Sequence, residues 1–92
     1  TLIAKKGAVS KEVAVKLAQN VRKLSGADFG IGITGIAGPS GSTPNKPLGT
    51  VYIAIATRKK TTCRKFNFKG NRAAIRQQSA IQALQLLGKH LD

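Results

Sequence analysis

Acidic side chains are nearly missing from this 92-residue chain: Glu12, Asp28 and Asp92 stand against sixteen lysines and arginines. His90 and Cys63 are the only histidine and cysteine. So few ligands exclude a metal site of ordinary coordination number, and no Ser-His-Asp set can be drawn without the last few residues. A lone cysteine cannot form an internal disulfide and fits a reducing compartment. With no histidine near it in sequence, Cys63 reads as a packed strand residue rather than a nucleophile. No run is long and apolar enough to span a membrane, and no signal-peptide pattern is present. The expectation is a soluble, cytoplasmic chain with no membrane partner. Aromatic residues are scarce as well, limited to Phe29, Tyr52, Phe66 and Phe68. Three of the four sit among apolar or glycine neighbours, as core residues do, whereas nucleic-acid binders usually interleave aromatics with charge.

What is abundant is positive charge. The formal net charge of +13 predicts attraction to phosphates, on nucleotides, nucleic acid or anionic membranes. A merely solvated surface is the plain alternative. The length allows one domain at most, able to bury roughly two-thirds or less of its unfolded surface. The chain opens on Thr1 without an initiator methionine, which reads as a processed chain or a fragment. An N-terminal threonine can act as a nucleophile with its own amino group as base, but nothing behind Thr1 supports that arrangement.

The chain is organised around Gly32-Ile33-Thr34-Gly35-Ile36-Ala37-Gly38-Pro39-Ser40-Gly41. Phe29 to Thr34 reads as a strand, with Phe29, Ile31 and Ile33 alternating with Gly30, Gly32 and Thr34. A loop dense in glycine and proline follows, held open by Pro44 and Pro47 until a second strand begins at Gly49. Glycines 35, 38 and 41 allow positive φ angles and close approach of a bound group to the backbone. A long structureless loop at a strand end is more often a ligand site than idle, although a plain Gly/Pro-rich crossover has the same composition.

Before this stretch, Ser10 is a good N-cap for a helix over residues 11–25, with Glu12 in the first turn and Gly26 as its left-handed terminator. Val13, Leu17, Val21 and Leu24, widened by Ala14 and Ala18, form its expected apolar stripe. After the loop, residues 50–57 are nearly continuously apolar, as in a strand buried on both faces. The polar turn Arg58-Lys59-Lys60 then leads into a strand over 61–68, with Arg64, Phe66 and Phe68 on one face and Thr61, Cys63, Lys65 and Asn67 on the other. These two strands should form an antiparallel hairpin, with 61–68 as the edge. Asn71 caps a last helix over 72–91, whose main stripe is expected at Ala80, Leu84, Leu87 and Leu91, flanked by Ile75, Ser79, Ala83 and Leu86. Arg72 sits in its first turn, where a cation is unfavourable unless an anion is also there. That misplacement makes Arg72 a candidate anion contact.

Gly7-Ala8-Val9-Ser10, Gly32-Ile33-Thr34-Gly35-Ile36-Ala37-Gly38-Pro39 and Lys46-Pro47-Leu48-Gly49-Thr50-Val51-Tyr52-Ile53-Ala54 together resemble the C-terminal domain of the CinA family. Members of that family, the stand-alone PncC type included, are nicotinamide-nucleotide amidases. The resemblance extends over essentially the whole chain, in order and spacing. It implies a three-layer α/β/α domain with a mixed sheet, and hydrolysis of nicotinamide mononucleotide to nicotinate mononucleotide and ammonia. No metal or redox cofactor is expected. The resemblance assigns Thr34 to the active site, Gly35, Ile36, Ala37 and Gly38 to the loop that approaches the nucleotide, and Arg72 to contact with the substrate or its phosphate. The family's G-D-R stretch reads Gly70-Asn71-Arg72 here, so the cap survives without its charge.

Complete domains of the family carry a preceding half with a T-A-E-S-C-T-G-G stretch and a Y-S-N-x-x-K stretch, which supply the serine, tyrosine and lysine of the chemistry. Neither stretch stands in these residues. Residues 1–92 therefore read as the C-terminal portion of one domain, inactive and marginally stable alone, with the 29–34 and 50–57 strands left with an uncovered edge or face. Completion would come from another copy, as a homo-oligomer, or from a separate fragment. The runner-up is a non-catalytic anion- or nucleic-acid-binding module on the same fold.

Overall fold

The computed structural model of the chain describes residues 9–35 and 49–91. Five elements follow in order: helix α1 (Lys11–Ser25), strands β1 (Gly30–Gly35), β2 (Thr50–Ala56) and β3 (Thr61–Asn67), and helix α2 (Arg72–Leu91). The strands form one sheet in the order β1-β2-β3, antiparallel throughout. The chain thus has an α/β fold, with the expected hairpin formed by β2 and β3. No parallel pair occurs among the described strands. All three expected helix caps form. Ser10 Oγ accepts from the Val13 amide at 3.2 Å, Asn71 Oδ1 accepts from the Ala74 amide at 2.9 Å, and Gly26 closes α1 at φ 70°.

Each face of the sheet is covered by one helix, because β2 is apolar on both faces. Ala54 and Ala56 pack with Ala14 and Ala18 of α1, joined by Tyr52 and Cys63. On the opposite face Val51 and Ile53 pack with Ile75 and Ala83 of α2, joined by Ile31, Phe66 and Phe68. Ile53 and Ile55 are fully buried, and each contributes about 1.5–3 kcal/mol by leaving water. β2 is therefore neither an edge nor uncovered; of the two strands expected to be left open, only β1 is an edge.

The alternating glycines of β1 set the depth of the α1 layer. A Cβ at Gly30 would meet the Ala18 carbonyl, and one at Gly32 the Ala14 carbonyl. Helix and strand backbones touch because both sides carry almost no side chain. This close contact rotates α1 away from the expected stripe. Val13, Ala14 and Ala18 are buried, whereas Leu17 and Val21 are exposed and Leu24 is 89 % exposed. Small residues bring the backbone near; the bulky ones are left outside.

The same correction applies to α2. Ile75, Ser79 and Ala83 are buried, and Leu86 packs against them, so the expected flanking stripe faces the core. Ala80 is exposed and Leu84 is 67 % exposed. Ser79 is accommodated because its hydroxyl donates to the Ile75 carbonyl at 2.7 Å, so its buried oxygen has a partner.

Candidate functional site

β1 ends at Thr34-Gly35, and both helices begin beside that end. Thr34 lies on the α1 face of the sheet, where its hydroxyl donates to the Ser10 carbonyl at 3.5 Å. The same carbonyl accepts the first helical bond of α1, from Ala14 at 3.1 Å. On the other face Gly35 and Ile33 share a cavity of about 270 Å³ with Val51, Ile75, Arg76 and Ser79. The first turns of α1 and α2 thus flank one end of the sheet from opposite sides. Their aligned peptide dipoles make that end favourable for an anion.

Gly35 does not turn the chain. It continues β1 opposite Val51, and the described glycines with positive φ are Gly26, Gly49 and Gly70. Its role is clearance: a Cβ there would come within 2.8 Å of Val51 Cγ2. Gly49, at φ 90°, does take a positive φ, and a Cβ there would strike the Phe68 carbonyl. Its own carbonyl accepts from the Phe68 amide at 2.9 Å, which joins the entry of β2 to the exit of β3. Thr50, fully buried, donates to Asn67 Oδ1 at 3.3 Å and reinforces that junction.

Of the residues assigned to the site from the sequence, Thr34 and Gly35 stand at the end of β1, while Ile36, Ala37 and Gly38 lie outside the described residues. Arg72 is the first residue of α2 and is exposed. It does not line the cavity; Arg76, one turn later, does. Thr34 and the α2 arginines are on opposite faces, so one ligand can reach both only over the end of the sheet.

Sequence reasoning missed three residues near this end. Arg76 follows Arg72 by one helical turn, a spacing that places both on one side of a helix and was legible. Tyr52 and Lys65 were not, because only the strand register lines them up. Thr34 is opposite Tyr52, and Tyr52 is opposite Lys65. The Lys65 ammonium stands 6.0 Å above the Tyr52 ring, within cation–π range. Cys63, on the same face of β3, packs against the α1 cluster. Burial pushes its thiol pKa up, opposed by Lys11 and assisted by Glu12, so it stays protonated at neutral pH and is a poor nucleophile. Among the described residues no cluster of three or more metal-ligating side chains occurs, and no helix is long and apolar enough to cross a membrane.

Residues 1–91 match the family described as CinA C-terminal domain. A putative competence-damage inducible protein of Thermoanaerobacter pseudethanolicus is 47 % identical over 85 residues, 92 % of this chain and 21 % of that protein. A CinA-like protein of Anaeromyxobacter dehalogenans is 50 % identical over 86 residues, 94 % of this chain and 21 % of that one. Among solved structures, the competence/damage inducible protein CihA of Agrobacterium tumefaciens superimposes with a TM-score of 0.93 at 30 % identity. That match covers 99 % of this chain and 56 % of the other. A CinA superfamily protein of Enterobacter cloacae gives 0.90 at 28 % identity, covering 99 % of this chain and 54 % of the other. The chain therefore spans about a fifth of the length of its sequence relatives and a little over half of the matched structures. With its glycine-paved helix–strand contact, its T-G end of β1 and its G-T-V entry to β2 in place, the chain belongs to the CinA C-terminal domain family.

Proposed function

We propose that this domain portion forms the substrate-phosphate side of an amidohydrolase that converts nicotinamide mononucleotide to nicotinate mononucleotide and ammonia. The observation that carries the reading is the convergence of two helix N-termini on the end of β1, with Arg76 in the cavity beside Gly35. An arginine and helix amides are what a phosphomonoester requires: fixed positive charge with donors preorganised around the oxygens. The cavity, at about 270 Å³, lies at the lower limit of ordinary ligand pockets. It suits one end of a nucleotide, and the remainder of the domain completes the site.

In the reaction, water adds across the carboxamide: the C–N bond breaks, a carboxylate forms, and the amide nitrogen leaves as ammonia. Thr34 Oγ1 sits at the sheet end, where its hydroxyl, turned away from its long 3.5 Å bond to the Ser10 carbonyl, can donate its one proton to the developing oxyanion. The serine, tyrosine and lysine that the family resemblance implies for bond cleavage are not among these 92 residues. Turnover therefore belongs to the full domain.

Ammonia release from nicotinamide mononucleotide by the full-length protein tests the reading, alongside calorimetric titration of Arg76→Ala and Arg72→Ala. Removing a charge-assisted phosphate contact costs about 1.5–3 kcal/mol, so at least one of these variants should bind roughly tenfold or more weakly. Unchanged affinity in both variants would remove the phosphate assignment. A wild-type protein that neither binds nor turns over the mononucleotide would remove the amidase reading altogether.

A further inference from the structure

The end of the sheet opposite Thr34 carries a second, differently built surface. β2 and β3 are joined by Thr57-Arg58-Lys59-Lys60, and Thr57 makes this a rigid turn. Its Oγ1 accepts from the Lys59 amide at 3.2 Å and the Lys60 amide at 3.1 Å, and donates to the Lys60 carbonyl at 3.0 Å. Its own amide also donates to that carbonyl, at 2.7 Å. Three consecutive cations are thereby projected from one fixed ridge.

A groove lies on each side of the ridge. The one against α1 measures about 590 Å³ and is lined by Lys11, Arg22, Lys23, Arg58, Lys59 and Lys60. The one towards α2 measures about 580 Å³ and contains Phe29 and His90, whose ring centroids are 6.3 Å apart and tilted by 54°. Arg22 and Lys23 lie in the last turn of α1, where a cation complements the helix dipole and needs no further reason. Arg58, Lys59 and Lys60 lie on no helix and lack that explanation. Asp28 offsets only Arg58, through an exposed ion pair of 3.0 Å. Along α1 the cations extend from Lys11 to Lys23, about 18 Å at helical rise. That is a track rather than a point site.

We propose that this pole binds single-stranded nucleic acid, its phosphates running along the α1 groove beside Lys59 and Lys60 and a base reaching the Phe29–His90 pair. A charged groove beside an aromatic platform is the combination that single-strand binders use. An anionic membrane would be met better by a convex surface with protruding apolar side chains than by two concave grooves split by a cationic ridge. The ridge Arg58–Lys60, the last turn of α1 and the Phe29–His90 pair lie away from the Thr34 end, and of the lining residues named here Lys11 alone, in the first turn of α1, stands beside it.

Fluorescence anisotropy of a labelled twenty-residue oligothymidylate with the full-length protein, between 50 and 200 mM salt, tests the inference. Four to six neutralised phosphates predict a slope of log K against log salt of roughly −3 to −4, at about −0.7 per phosphate. Lys59→Glu/Lys60→Glu should weaken binding about tenfold or more and flatten the slope by at least about 1.4. Arg22→Gln/Lys23→Gln, in the last turn of α1, should flatten it in the same sense and serves as the second variant. Nicotinamide mononucleotide binding should be unchanged in both. No oligonucleotide binding, a slope near zero, or tighter binding to a blunt duplex of the same length would each overturn the proposal. So would charge-dependent binding to phosphatidylglycerol vesicles without oligonucleotide binding.

Discussion

Thr34 and Ser10, twenty-four residues apart in sequence, meet where the hydroxyl of the strand end donates to the carbonyl of the helix cap at 3.5 Å. That carbonyl already accepts the Ala14 amide, so the threonine takes the second lone pair of an occupied acceptor. Little stability rests on the contact. Thr34→Val keeps the shape and removes the hydroxyl, and should lower the unfolding free energy by no more than about 1 kcal/mol. On the proposed function it should lower kcat for nicotinamide mononucleotide by roughly 10²–10³, the usual loss for a missing oxyanion donor. Thr34→Ser should keep most of the rate. A thermal melt beside an ammonia assay separates the two effects.

The contact between α1 and β1 predicts opposite outcomes for one substitution at two sites. Gly32→Ala puts a methyl into the Ala14 carbonyl and should destabilise the fold by about 1–3 kcal/mol, as overpacked sites do. Gly88→Ala, in α2 with nothing within 4 Å of the added carbon, should stabilise it by about 0.5–1 kcal/mol. Urea midpoints of the two variants, with unchanged m-values, are the check.

Cys63 links packing to pH. Its thiol pKa is raised by burial, so the folded state holds the proton to higher pH than the unfolded chain, where a cysteine titrates near about 8.5. With more protons bound in the folded state, stability falls as pH rises through that value. The contribution is fully present below it and is lost as the folded thiol titrates. Cys63→Ala should flatten the decline in melting temperature above about pH 8.5. In the unsubstituted protein, alkylation at neutral pH should be slower than for a denatured control.

Leu17, Val21 and Leu24 leave an apolar strip on the outside of α1, and Ile33 is exposed on the edge strand β1. The matched structures are nearly twice as long as this chain. Residues 1–92 expressed alone should therefore bind a dye that reports exposed apolar surface, and Leu17→Gln/Val21→Gln should reduce that signal with a stability change of about 0.5 kcal/mol or less per site. In the full-length protein the signal should be absent from the start, and the same double variant should cost more.

The primary structure by itself determined the elements and their order. Ser10, Gly26 and Asn71 mark helix ends through local hydrogen bonding and backbone freedom, which need no tertiary partner. The doubly buried β2 and its hairpin with β3 were legible for a similar reason: eight nearly unbroken apolar residues followed by a basic turn admit few other placements. Tertiary structure decided which face each helix buries. A sequence stripe ranks side chains by bulk, and the fold instead used the Gly30–Gly32 and Ala14–Ala18 surfaces, where bare backbones approach most closely. It also decided which residues meet at the candidate site. Arg76 rather than Arg72 lines the cavity, and Tyr52 and Lys65 stand in register with Thr34, because pairing across strands depends on alignment between segments distant in the chain. The two basic surfaces are separated on the same ground. One composition supplied the charge, and the path of the chain set Arg72 and Arg76 at the start of α2 and Arg58, Lys59 and Lys60 in the β2–β3 turn, at opposite ends of the sheet.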